Sequence, residues 1–285
     1  MADASDVIGE FAARVTAGQI SWAGDFSATM SAIEHTLTVR LIMARPLVTL
    51  GENQRVAEVL DEDSNALFDC FPVRGKGQAV VGAVFREDAP LPDALAADVM
   101  RPLHDVPLIE SGQPIEEFMA RMRDTERLQW LVVHGAEICG IVTRSDLARL
   151  PVRLLLTIRL VRLEQLAGER IRSLSGNDDW VRHLSEQRRA NALSLAEQDR
   201  STGDDLDLIN YINFTDKKMI LEALATETDD RKDAKSLGGL IEMRNELMHG
   251  RERDIDHASA KKILERTARI DALIAKWSGA RGSVR

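Results

Sequence analysis

The chain repeats itself at an offset of about 58 residues, and this repeat restricts its fold more than any other feature. Gly82 and Asp88 recur as Gly140 and Asp146. Around each pair the apolar and turn residues follow one order. Pro46 to Leu50 reads as a short strand, Gln54 to Leu60 as a helix, Cys70 to Val73 and Ala79 to Phe85 as strands, with the Arg74-Gly75-Lys76-Gly77 turn between them. Val106 to Ile109, Pro114 to Met122, Trp130 to Val133 and Ile138 to Val142 then repeat that series, with His134 to Glu137 as the second turn. Pro114 suits the first turn of its helix. A βαββα unit used twice is predicted over residues 44–151. A helical arm over 1–43 precedes it, with Val7, Ile8, Phe11 and Val15 on one helix and Met30, Ile33, Leu37 and Leu41 on a second.

Beyond Pro151 strand alternation stops. Val152 to Leu174 is expected as one long helix and Asp178 to Leu195 as another. Thr215 is expected to cap a third, and Ser236 the fourth, after a charged loop from Thr226 to Lys235. A last helix carries Ile263, Thr267, Ile270, Ile274 and Trp277, and the tail from Ser278 is expected to be disordered. The fold class is therefore α+β: a helical arm (1–43), a repeated βαββα module (44–151) and an all-α bundle (152–285).

Charge divides near the same place. Residues 1–151 hold 13 Lys and Arg against 23 Asp and Glu, and residues 152–285 hold 24 against 23. The first part is a poor polyanion binder; the second can meet nucleic acid only through a local patch. Aromatics make up 4% of the chain, too few for a stacking platform. Cys70 and Cys139 lack zinc-ligand spacing and read as reduced core thiols, so no metal site is expected. Arg153, Arg159 and Arg162 break the most apolar run, and the N-terminus has no apolar leader core, so a cytoplasmic protein without a membrane span is expected.

The stretch Gly140-Ile141-Val142-Thr143-Arg144-Ser145-Asp146 matches a Gly-h-h-Thr-x-x-Asp pattern, where h is apolar. A strand end leading into a helix start offers free N–H groups to phosphate, and a carboxylate there can accept from a diol. Thr143 and Asp146 are equally good helix-start residues, which is the structural alternative. The pattern and the repeat resemble a tandem pair of CBS domains, over roughly residues 44–153. That resemblance implies an adenine nucleotide or related regulatory ligand, with Thr143, Asp146, Arg144, Pro107 and Asp88 as nucleotide-binding residues. Phe85 stands where the first repeat should carry Thr, so one good site per chain is expected.

The other chemical feature is Arg244-Asn245-Glu246-Leu247-Met248-His249, followed by Gly250. Leu237, Leu240, Ile241, Leu247 and Met248 recur at helical spacing, and Arg244 falls on their stripe. A guanidinium there needs a carboxylate, or its face lines a site or a subunit interface. Glu242 or Glu246 would serve in a purely structural ion pair. Gly250 would stop the helix and leave His249 in its last turn. Arg-x4-His in a helical bundle resembles the HEPN domain. The resemblance implies a metal-independent RNase working as a homodimer, with Arg244, His249 and Asn245 as catalytic residues and products bearing 2′,3′-cyclic phosphate ends. His183 and His257 are runner-up bases.

Together these readings lead to an expected nucleotide-regulated endoribonuclease, a toxin or antiviral effector. RNA is its substrate, an adenine nucleotide its regulator, and a cognate antitoxin a further partner. The rival reading is a non-catalytic, nucleotide-sensing protein whose bundle dimerises or docks a partner.

Overall fold

The computed structural model describes residues 22–66, 68–88, 93–176, 178–203, 206–249 and 255–279; the side chains of 22–28, 178, 202, 248 and 249 are outside that description. The expected first helix around Val7 to Val15 and the tail beyond Gly279 lie outside the described residues. The chain forms a mixed α+β structure of two compact units. One runs to Arg121 and includes Arg127–Thr143; the other comprises Met122–Glu126 and everything from Arg144 onward.

Among the described residues, the first helix of the first unit is α1 (Trp22–Thr36). Its two sheets share one plan. In the first, β1 (Leu50–Gly51) lies parallel to β2 (Cys70–Arg74), which is antiparallel to β3 (Val80–Phe85), itself antiparallel to β4 (Arg101–Pro102). In the second, β5 (Leu108–Glu110) is parallel to β6 (Gln129–His134), and β6 is antiparallel to β7 (Glu137–Thr143). Leu50 opposes Val73, and Leu108 opposes Leu131, so the repeat offset is preserved in the strand register. Short helices α2 (Ala57–Leu60) and α3 (Ala96–Val99) belong to the first repeat, and α4 (Ile115–Thr125) to the second.

The two glycines of the repeat have a common physical role. Each lets a segment from outside its own hairpin lie close against the last strand. A Cβ on Gly82 would sit 2.4 Å from the Arg101 carbonyl oxygen, and one on Gly140 would sit 2.6 Å from the Met43 sulfur. Ala44, next to Met43, exchanges backbone hydrogen bonds with Ile141 at 2.8 and 3.3 Å. The expected strand from Pro46 is correspondingly short. Proline has no N–H to give a ladder, and pairing to β2 begins only at Leu50.

Strand β3 is buried on both faces, as alternation requires. Val84 joins Leu50, Val59, Phe71 and Val73 in the first-repeat core. Ala83 and Phe85 point the other way, into a second cluster with Cys70, Val106 and Leu131. Burial pushes the Cys70 thiol up to about 12, so it stays protonated at neutral pH and behaves as a small core residue.

The second unit is helical. Its centre is α5 (Leu150–Ser175), with Pro151 in the first turn. Leu155, Leu156, Leu160, Leu163, Leu166 and Ile171 are buried around more than one side of it. It packs against α7 (Phe214–Leu224), α8 (Thr228–His249) and α9 (His257–Gly279). The expected helix over Asp178 to Leu195 is two pieces. A 3-10 segment (Asp178–His183) ends before Ser185, whose hydroxyl caps α6 (Glu186–Thr202). Gly203, at φ +100°, closes α6 in the left-handed region. The cap of α7 is Asn213, not Thr215: Asn213 and Asp216 form a reciprocal capping box.

The stretch expected as a loop before Ser236 is instead the start of α8. Asp229 and Asp230 occupy its first turn, where the helix dipole favours acids. Asp230 and Asp233 are used in packing, while Asp229 and Lys232 stay in solvent. Asp230 meets Arg170 at 3.2 Å, and Asp233 accepts from Arg269 and Lys276, each at 2.6 Å. Burial works to raise the Asp233 carboxyl, but the bonds from Lys276 and Arg269 outweigh it and hold the group below its ordinary value. A depressed carboxylate contributes stability above its unfolded value and loses it as pH falls through the folded one. Asp233→Asn is expected to cost about 1.5–3 kcal/mol at pH 7 in chemical unfolding. The gap from wild type should close as the pH drops below about 3.9.

Candidate functional site

The Arg-x4-His segment forms the last two turns of α8. The buried line of that helix is Leu237, Leu240 and Met243, all under 4% exposed. Arg244 follows one step of about 100° around the helix, so it flanks the apolar stripe instead of lying on it. Its side chain is 41% exposed. Asn245 is exposed. His249 is the last helical residue, and its side chain lies outside the described residues.

The expected ion-pair partners of Arg244 were Glu242 and Glu246, and neither serves. Residues two apart on a helix do not face each other. Both carboxylates turn instead to Arg266 on α9, at 2.8 and 3.6 Å. Arg244 reaches across the bundle to Glu164 on α5, Nη2 to Oε2 at 3.6 Å. The other oxygen of Glu164 lies 3.5 Å from Nζ of Lys217 on α7. The Lys217 side chain is 8% exposed and that of Glu164 18%. Burial lowers the Lys217 ammonium below its ordinary value against the opposing pull of Glu164, and Arg172 and Arg244 lower it further. Gly168, one turn beyond Glu164, makes room for this arrangement: a Cβ there would meet Ile209 at 3.3 Å and Lys217 Cε at 3.9 Å.

A further cation sits at the end of the motif helix. Arg153 on α5 donates from Nη2 to the Leu247 carbonyl at 2.5 Å. That carbonyl is among the last four of α8, which have no partner within the helix. Arg153 of α5 thus meets the end of the helix that carries Arg244, while Glu242 and Glu246 are engaged by Arg266 and Glu164 is shared with Lys217. Glu164, Lys217 and Arg153 were missed in the sequence because no local spacing relates α5 or α7 to the end of α8. The runner-up bases stand apart from this cluster in the chain: His183 ends the 3-10 segment, and His257 is the exposed first residue of α9.

In the first unit, Thr143 is the half-buried last residue of β7, opposite Gln129. Pro107, also half-buried, gives its carbonyl to the Leu131 N–H at 3.0 Å. Asp88 is held by Arg101, Nη2 to Oδ2 at 2.5 Å. The same guanidinium stacks over the Phe85 ring, 4.4 Å from its centroid. The position where the first repeat lacks Thr is thus filled by a buried Phe and covered by the chain's own Arg101. In the second unit, Arg144 opens a 3-10 segment (Arg144–Ala148), and Asp146 is buried within it. Arg149 Nε donates to the Asp146 carboxylate at 2.5 Å. Among the described residues no group of His, Cys, Asp and Glu is placed to hold a metal ion. No described helix is long and apolar enough to cross a membrane.

Residues 96–153 match the family model of the CBS domain. The chain contains a CBS domain. The match takes in α4, β5, β6 and β7, and the preceding repeat has the same parallel and antiparallel strand order as this CBS domain. No curated protein matches the sequence. Among solved structures the chain is similar to the CBS domains of a transcriptional regulator from Streptococcus pneumoniae, with 29% identity and a TM-score of 0.34, covering 38% of this chain and 94% of that one. It is also similar to the CBS domain of a membrane protein from Sphaerobacter thermophilus, at 18% identity and TM-score 0.36, covering 42% and 91%. A third, CBSX2 in complex with AMP, is 18% identical with TM-score 0.36, covering 41% and 97%.

Proposed function

We propose that the protein is a nucleotide-regulated, metal-independent endoribonuclease acting as a homodimer. The observation that carries this reading is Arg244. It is a permanent cation near the end of the motif helix, held by a carboxylate on one side and open to solvent on the other. In the proposed reaction the RNA supplies its own nucleophile, the 2′-hydroxyl. Arg244 holds the scissile phosphate in its fork and neutralises charge on the phosphorane. His249 exchanges protons with the attacking and leaving oxygens, as imidazole can near neutral pH. Asn245, exposed beside Arg244, orients the phosphate. One Arg and one His are sparse for this task, so two chains bring their motifs together. Products carry 2′,3′-cyclic phosphate and 5′-hydroxyl ends.

The CBS domain supplies the regulator's site. Thr143 and Arg144 take the phosphates of an adenine nucleotide, Asp146 its ribose diol, with Pro107 and Asp88 as further contacts. A coupling of about 1–3 kcal/mol between ligand and pairing of the chains makes a useful switch. The biological role proposed is that of a toxin or antiviral effector, restrained by a cognate antitoxin.

A second reading is favoured by the Glu164 contact. There Arg244 serves only an ion pair, and the helical unit is a dimerisation or docking module for a nucleotide sensor. Cleavage of mixed RNA in EDTA separates the two. Wild type is expected to cut and leave cyclic-phosphate ends, and His249→Ala is expected to be inactive. Adenine nucleotides should change the rate and raise the unfolding midpoint, since ligand at 100 times its Kd adds about 2.7 kcal/mol. Folded, dimeric wild type that cuts nothing with any nucleotide would establish the second reading.

A further inference from the structure

The charges around Arg244 are not distributed as a simple ion pair requires. Two carboxylates lie nearer to Arg244 in sequence, on its own helix, yet Arg266 draws both away. Among the described residues, what remains for Arg244 is one oxygen of one half-buried carboxylate, Glu164 Oε2, and the other oxygen is directed to the buried ammonium of Lys217. Glu164 stands on the central helix of the bundle, between Leu163 and Leu166, which are under 2% exposed. A carboxylate fixed there has little freedom to follow a moving guanidinium. Arg244 is therefore tethered at one nitrogen, and 41% of its side chain stays open.

From this geometry we infer that Glu164 is the positioning residue of the site: it holds the Arg244 guanidinium in the orientation in which its outer nitrogens receive a phosphate. The inference rests on the ribonuclease reading, and its test separates the two. Removing Glu164 alone would strand Lys217 as a buried charge, which endangers folding. The informative variant is therefore Glu164→Gln with Lys217→Met, which removes both buried charges and keeps the volumes. Its control is Lys217→Met alone, which leaves Glu164 entirely to Arg244.

Two readouts are made on each full-length protein. The first is rotation of the Arg244 guanidinium about its Cζ–Nε bond, from arginine side-chain NMR with the signal assigned by its loss in Arg244→Lys. The second is single-turnover RNA cleavage, beside binding of a 2′-O-methyl oligonucleotide that cannot react. Wild type and Lys217→Met should show slow rotation and similar cleavage. The double variant should rotate freely, bind the oligonucleotide as wild type does, and cleave about 10–100-fold more slowly, the usual penalty for a misplaced catalytic group. Unchanged rotation in the double variant overturns the inference whether or not RNA is cut. Free rotation with undiminished cleavage overturns it as well. Free rotation in a family of proteins that never cut RNA overturns the ribonuclease reading itself and leaves Glu164 as a structural partner of Arg244.

Discussion

Arg244→Ala is expected to abolish most RNA cleavage while leaving the helical unit folded. Its proposed work is to stabilise charge that develops only on the phosphorane, and removal of one such donor costs about 10²–10³-fold in rate. Its structural role is small by comparison. The side chain is 41% exposed, and its one ion pair among the described residues spans 3.6 Å. Such a contact contributes about 0–1 kcal/mol. After the substitution Glu164 keeps Lys217 as a partner, so no buried carboxylate is stranded. Arg244→Lys should fall between the two, because a point charge keeps the sign but loses the fork. Single-turnover rates measured beside thermal midpoints check both halves. A folded Arg244→Ala protein that cuts as fast as wild type removes the motif from the reaction. A variant that loses rate only in proportion to its unfolding assigns Arg244 to the fold.

The largest effect on stability is expected at Asp271. Arg159, on the central helix α5, is 4% exposed, and its guanidinium meets the Asp271 carboxylate at 2.5 Å. Asp271 is on the outer helix α9, with 40% of its side chain exposed. The two partners therefore respond differently to loss of the other. Asp271→Ala takes the Asp271 carboxylate away from a buried guanidinium and should cost about 3 kcal/mol. Arg159→Met removes the buried charge itself and fills the space with apolar atoms. Asp271 can then hydrate, and the change should stay within about 1 kcal/mol of wild type. Chemical unfolding of both variants checks the asymmetry. Equal losses would show that the pair is valued for its contact and not for the desolvation of one member.

Much of the first unit was legible in the chain because its signals are local and occur twice. Alternating apolar residues marked the strands, and the recurrence of Gly82 and Asp88 as Gly140 and Asp146 marked the repeat. What those glycines accommodate was not legible. The residues lying against them come from elsewhere in the chain, Arg101 from strand β4 and Met43 from the stretch ahead of β1. The long central helix was equally plain from its apolar period. The start of α8 was not, since a run of Asp, Arg and Lys reads as a solvated loop until partners on α5 and α9 are in place.

The Arg244 region shows where the division falls. Sequence alone determined that residues 244–249 end a helix, that Arg and His share its last turns, and that Arg244 needs either a carboxylate or a face that lines a site or subunit interface. Helical period places a residue on a face of its own helix. It says nothing about which other helix meets that face. The tertiary structure decided that Glu242 and Glu246 turn to Arg266, and that Glu164, 80 residues earlier in the chain, reaches Arg244 with Lys217 behind it. Those choices follow from the packing of α5, α7, α8 and α9 around one apolar core, which is a property of the assembled bundle and of no single segment.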